Sequence, residues 1–136
     1  MAMIVGLGVD IVEIERIRSV YEAYPDRFLS RLLSAPELAE WQSRGRQLDS
    51  LAGIWAAKEA VAKALGTGVA GFLLVDLQIT HDPQGRPQVS LVRGASALAA
   101  SRQIQQIHLS ISHSRSYAVA VAIAESSAVL EDGSIE

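Results

Sequence analysis

The segment Ser50-Leu51-Ala52-Gly53-Ile54-Trp55-Ala56-Ala57-Lys58-Glu59-Ala60-Val61-Ala62-Lys63-Ala64-Leu65-Gly66 decides how the rest of the chain is read. Alanine is the strongest helix former and six of these residues are alanine, so residues 50–65 read as a helix with Gly66 as its stop. Side chains this small let a helix lie close against a sheet or a second helix. Glu59 and Lys63 are four apart, hence on one face, one turn above the other. As a solvent-exposed pair they are worth roughly 0.2–0.5 kcal/mol. Their neighbours Ala60, Val61, Ala62 and Ala64 leave little solvated face, however. A carboxylate and two amines (Lys58 is the second) in such company also fit a site where charge has a function.

On either side of this helix the pattern alternates between strands and helices. Residues 3–9 read as a first strand, with Gly6 and Gly8 allowing close backbone approach and Asp10 at or near its end. Residues 13–23 carry Ile14, Ile17, Val20 and Tyr21 at helical spacing. Tyr24-Pro25-Asp26 interrupts, and residues 27–33 read as another short helix. Ser34-Ala35-Pro36-Glu37 has the form of a capping box, starting a helix that ends near Gly45. Beyond the loop at 66–71, residues 75–80 and 87–92 read as strands joined by the turn Asp82-Pro83-Gln84-Gly85. Residues 95–105 read as a helix. Residues 107–112 and 117–124 read as strands joined around His113-Ser114-Arg115-Ser116. The last strand is apolar on both faces, which predicts a central position. The reading is one domain over residues 1–124 and a disordered acidic tail over 125–136.

Bulk properties narrow the class. A chain of 136 residues suits one domain, and 49% hydrophobic with 20% charged residues is a folding composition. So small a domain exposes much of its surface, which predicts that some apolar surface is buried against other subunits. With no cysteine, disulfides, thiolate metal sites and cysteine nucleophiles are excluded. No apolar run approaches the roughly 20 residues that span a bilayer, and the N-terminus lacks the basic region of a signal peptide. The expectation is a cytoplasmic protein with no membrane partner. The net charge of −3 is unevenly distributed: residues 83–124 hold Arg86, Arg93, Arg102 and Arg115 and no acid. That block is a candidate for anion attraction, but no dense Lys/Arg stripe of a nucleic-acid binder is present.

Several motifs admit two readings. Gly66-Thr67-Gly68-Val69-Ala70-Gly71 matches G-x-G-x-x-G, but follows a helix instead of closing a strand, so a helix stop and loop is the better account. Asp10 is either a cap for the next helix or an acid projecting from a strand into a cleft. His108 and His113 flank Ser110 and Ser112; histidines so placed are more often structural than basic. A Ser/His/Asp hydrolase site can be assembled on paper, but no G-x-S-x-G supports it.

Taken together, Gly6-Leu7-Gly8-Val9-Asp10-Ile11-Val12-Glu13, Trp55-Ala56-Ala57-Lys58-Glu59-Ala60 through Gly68, Gly85-Arg86-Pro87, and Ser110-Ile111-Ser112-His113 with Tyr117-Ala118 resemble, in order, the holo-acyl-carrier-protein synthase family of 4′-phosphopantetheinyl transferases. The resemblance covers residues 4–124. It implies an α+β fold, with an antiparallel sheet packed against helices, assembled as a homotrimer with active sites between subunits. It also implies transfer of 4′-phosphopantetheine from coenzyme A to a serine of apo-acyl-carrier protein, for fatty acid biosynthesis.

In that reading Asp10 and Glu59 are the ligands of Mg²⁺, an ion that takes one or two carboxylates plus substrate phosphates. Lys63 adds charge on the phosphates, and Glu59 is a candidate proton acceptor. Gly85, Arg86, Pro87 and His113 are implied at the nucleotide. Arg16, Arg27 and Arg31 are implied in docking the acidic carrier, with an ordinary charged surface as the alternative. Ile54 stands where the family usually has arginine, so a contact there is missing or moved. Arg86 replaces a common lysine, keeping the charge and changing the geometry. A coenzyme A or carrier-binding module without catalysis is the rival class.

Overall fold

A computed structural model describes residues 2–66 and 71–127. Along it run β1 (Ala2–Glu13), α1 (Ile14–Ala23), α2 (Pro25–Leu32), α3 (Ala35–Ser43) and α4 (Leu48–Leu65). After a short 3-10 turn at Leu74–Asp76 come β2 (Leu77–His81), β3 (Pro87–Leu91), α5 (Arg93–Ser101), β4 (Gln106–His113) and β5 (Tyr117–Ser127). One antiparallel sheet has the order β1-β5-β4, and β2 and β3 form a separate hairpin. Among the described residues no helix is long and apolar enough to cross a membrane. The fold is α+β.

The alanine-rich segment is the axis of the molecule. On α4, Leu51, Ala52, Ala56, Ala57, Ala60 and Val61 are fully buried, facing Ala118, Ala120, Ala122 and Ala124 of β5, also fully buried. Small side chains on both faces bring helix and sheet together. Gly6 and Gly8 extend this to β1: an added Cβ would lie 1.9 Å from the Ala64 and Ala60 carbonyl oxygens, respectively. Two residues of strand advance about 6.6 Å and four of helix about 6 Å, so glycine at every second strand position tracks alanine at every fourth helix position. Two residues beyond Gly8, the same register carries Asp10 onto the face of α4. Gly66 ends the helix in the left-handed conformation, with φ 92°.

Several boundaries differ from expectation for physical reasons. β1 continues through Asp10 to Glu13 because Ile11 and Val12 keep alternating, with Ile11 paired to Val119 and Val12 to Ala118. Asp10 is therefore a strand residue and not a helix cap. β5 is central, as its composition predicts, and runs to Ser127, past the expected end at residue 124. Residues 128–136 of the expected disordered tail, and 67–70 of the glycine loop, lie outside the described residues. Only one face of β5 is covered. The outward residues Leu7 and Ile11 are 65% and 63% exposed, and Val9 and Val121 accompany them.

Lys58 is not part of a charged face. It is fully buried, and its ammonium donates to Leu32 O at 2.5 Å, Glu37 Oε1 at 2.7 Å and Leu74 O at 3.1 Å. Glu37 is buried as well. Its Oε1 accepts from the Ser34 amide at 2.9 Å, completing the capping box, while Oε2 accepts from the Ile79 amide at 2.9 Å. Burial lowers the proton affinity of Lys58, and the Glu37 carboxylate opposes that shift.

Candidate active site

Asp10 from β1 and Glu59 from α4 meet at one cavity of about 750 Å³. Its wall is built from α1 and α2, with Arg16, Ile17, Arg27, Phe28 and Arg31, and from Trp55 on α4. Lys63 stands beside the acids: its Nζ donates to Val9 O at 2.9 Å and lies 3.3 Å from Asp10 Oδ1. Helical side chains lean toward the N-terminus, so a lysine one turn beyond Glu59 reaches back to the strand. Burial raises the proton affinity of Glu59, the Asp10 charge raises it further, and the Lys63 ammonium opposes both. Two carboxylates that repel one another and are only partly neutralised form a natural cation site.

Phe28 and Trp55 stack with ring centroids 6.0 Å apart, giving this cavity an aromatic flank that sequence reasoning did not anticipate. The signal was present: Trp55 is four residues before Glu59, hence on the same face of α4.

The remaining site residues lie elsewhere. Gly85, Pro87 and His113 line a second cavity of about 200 Å³, together with Asp49, Ile54 and His81. His113 Nδ1 is 3.9 Å from Asp49 Oδ2. Where Ile54 supplies no charge, Arg44 brings a guanidinium to the same cavity, 3.1 Å from His81 Nδ1. Arg86 points away into a groove alongside β4, its Nε 3.1 Å from Asp82 Oδ2. Backbone donation from the Arg86 amide holds the Asp82 carboxyl below its ordinary range.

The arginine block of residues 83–124 is thus largely committed to the fold. Besides Arg86, Arg93 Nε bonds Asp76 Oδ1 at 2.9 Å, and Arg102 donates to Leu65 O at 2.5 Å, where α4 ends. Its excess charge does not form one open surface: Arg86 is tied to Asp82 four residues before it, and Arg93 and Arg102 to partners 17 and 37 positions away.

Within one chain, then, Asp10, Glu59, Lys63, Arg16, Arg27 and Arg31 come together, and Gly85, Pro87 and His113 come together apart from them. Comparison with known proteins is consistent along the whole fold. Residues 6–122 match the model of the 4′-phosphopantetheinyl transferase superfamily. A holo-[acyl-carrier-protein] synthase of Vibrio cholerae is 46% identical over 124 residues, covering 90% of this chain and 98% of its own. An acyl carrier protein synthase of Plasmodium yoelii, solved with ADP bound, superposes with a TM-score of 0.87 at 31% identity, covering 94% and 99%. The Helicobacter pylori holo-[acyl-carrier-protein] synthase in complex with coenzyme A gives 0.78 at 32% identity, covering 87% and 98%. The chain belongs to the 4′-phosphopantetheinyl transferase superfamily.

Proposed function

We propose that this chain transfers the 4′-phosphopantetheine group of coenzyme A to a serine of apo-acyl-carrier protein, releasing adenosine 3′,5′-bisphosphate. The observation that carries the reading is the convergence of Asp10 and Glu59, from distant segments, on a cavity rimmed by Arg16, Arg27 and Arg31. A binding module without catalysis has no need of two mutually repelling carboxylates lining that cavity.

The donor set fits Mg²⁺, which prefers oxygen ligands and leaves positions for water and phosphate. Asp10 and Glu59 would hold it, and when bound it supplies charge neutralisation on the pyrophosphate. Among the described residues no group of three or more candidate metal ligands occurs. A two-carboxylate site is therefore completed by the substrate, and binding of the cation should strengthen with coenzyme A present.

The side chains divide the remaining work. Glu59, acting through an intervening water, accepts the proton of the carrier serine as that oxygen bonds to the β-phosphorus. The bond from that phosphorus to the bridging pyrophosphate oxygen breaks, and adenosine 3′,5′-bisphosphate leaves. Lys63 is placed to neutralise phosphate charge. Arg27 and Arg31, four apart on α2, offer an acidic carrier a common face.

A homotrimer belongs to the same proposal. It is supported by the apolar outer face at Leu7, Val9, Ile11 and Val121, and by the separation of Gly85, Pro87 and His113 from Asp10 and Glu59. A neighbouring copy would bring the second set to the first, with Arg44 adding charge toward the nucleotide. A role in fatty acid biosynthesis rests on the family resemblance, and a cytoplasmic location on the sequence reading alone. Incubation with coenzyme A, Mg²⁺ and an apo carrier tests the function: the carrier should gain the phosphopantetheine mass, and binding without modification would contradict transfer.

A further inference from the structure

The buried ammonium of Lys58 has three donors and all three are used, two of them on backbone carbonyls. A buried charge pair need not stabilise a fold more than apolar groups of the same volume would. What distinguishes this pair is where the carbonyls belong. Leu32 is the last residue of α2 and Leu74 the first of the 3-10 turn, and both residues line the cavity containing Asp10 and Glu59. Lys58 itself directly precedes Glu59 on α4. Glu37 extends the link to β2 through the Ile79 amide.

We propose that Lys58 is a positioning residue for the transfer reaction: by holding Leu32 and Leu74 it sets the distance between Glu59 and the wall that carries Arg27 and Arg31, and so governs how the carrier protein fits. Helix α2 contributes Arg27, Phe28 and Arg31 to the cavity, and its C-terminal carbonyl is gripped by the residue adjacent to the catalytic carboxylate. Loss of the grip frees the end of α2 while leaving Asp10, Glu59 and Lys63 in their own elements. Coenzyme A and cation binding should change little, and recognition of the carrier should weaken.

The inference rests on the transferase reading, so the test begins with the wild-type protein. Absence of transfer there sinks the reading itself, whereas normal transfer with unaffected variants sinks only the positioning role. Lys58→Met alone strands the Glu37 carboxylate and endangers folding. The double variant Lys58→Met/Glu37→Gln removes both charges, and Glu37→Gln alone keeps acceptor atoms for the Ser34 and Ile79 amides. Steady-state transfer is measured on variants whose thermal unfolding confirms the fold. The expected result for the double variant is a carrier-protein KM raised about fivefold or more, with the KM for coenzyme A within about twofold of wild type. Glu37→Gln alone keeps Lys58 on both carbonyls and should show a much smaller effect. An unchanged carrier KM in the folded double variant overturns the proposal, including the case where activity falls only in proportion to folded protein.

Discussion

Lys63 donates to the carbonyl of Val9 at 2.9 Å and stands 3.3 Å from Asp10 Oδ1, so a cation of α4 is engaged with the carboxylate proposed as a metal ligand. Asp10 is 19% exposed at its side chain and Lys63 52%, so water screens the pair and it is easily remade. In the proposed reaction a divalent cation held by Asp10 would free the Lys63 ammonium for substrate phosphate. Lys63→Met should therefore lower kcat by about 100-fold or more, the scale for losing one charge-stabilising donor. Half-saturating Mg²⁺ should not rise, because a competitor for Asp10 has been removed. Transfer assays across a Mg²⁺ titration measure both quantities, and a normal kcat would refute the role.

Glu59 gives a pH signature. Its folded pKa is raised by burial first and by Asp10 second. Below the ordinary glutamate range the proton is bound in folded and unfolded chains alike. As pH rises toward the folded value, the unfolded chain loses its proton first and metal-free stability falls. Thermal unfolding without metal should show this decline in the wild type and less of it in Glu59→Gln. Mg²⁺ with coenzyme A should offset it, because the ionised carboxylate is the proposed ligand.

Gly8, like Gly6, leaves no room for a side chain. A Cβ there meets backbone, the Ala60 carbonyl oxygen at 1.9 Å, so no side chain can move aside. Gly8→Ala should cost about 3 kcal/mol or more, the upper range for overpacking. Gly53→Ala is the control. Its Cβ meets only the Ile111 Cγ2 methyl at 3.1 Å, and alanine gains about 1 kcal/mol of helix propensity. Urea unfolding should place the first variant far below wild type and the second near it.

The outer face of β1 tests the assembly. Leu7→Glu adds charge to an exposed apolar surface without touching Asp10 or Glu59. Light scattering should report monomers, and transfer should be lost with the subunits still folded. Full activity in a monomer would contradict an active site shared between copies.

Much of this was legible from short-range pattern. Residues 50–65 read as a helix because alanine spacing reports propensity directly, and β5 read as central because its residues are apolar on both faces. The end of β1 was not, because an aspartate reads locally as a cap, while eleven residues of pairing with β5 carry the strand to Glu13. Ser34 and Glu37 declared a capping box, yet nothing near them reveals that Glu37 also binds Lys58, 21 positions away. Asp10 and Glu59 were found through motif resemblance; spacing alone left one as a cap and the other as half of a surface pair. The stacking of Phe28 on Trp55 was not legible, because the two residues are 27 positions apart on different helices.

The most direct test of the two-carboxylate site is the intact mass of an apo carrier protein after incubation with coenzyme A, Mg²⁺ and either wild type, Asp10→Ala or Glu59→Ala. Circular dichroism establishes that each variant is folded. The wild type should add phosphopantetheine and both variants should leave the carrier unmodified; transfer at the wild-type rate by both folded variants would contradict the assignment of Asp10 and Glu59.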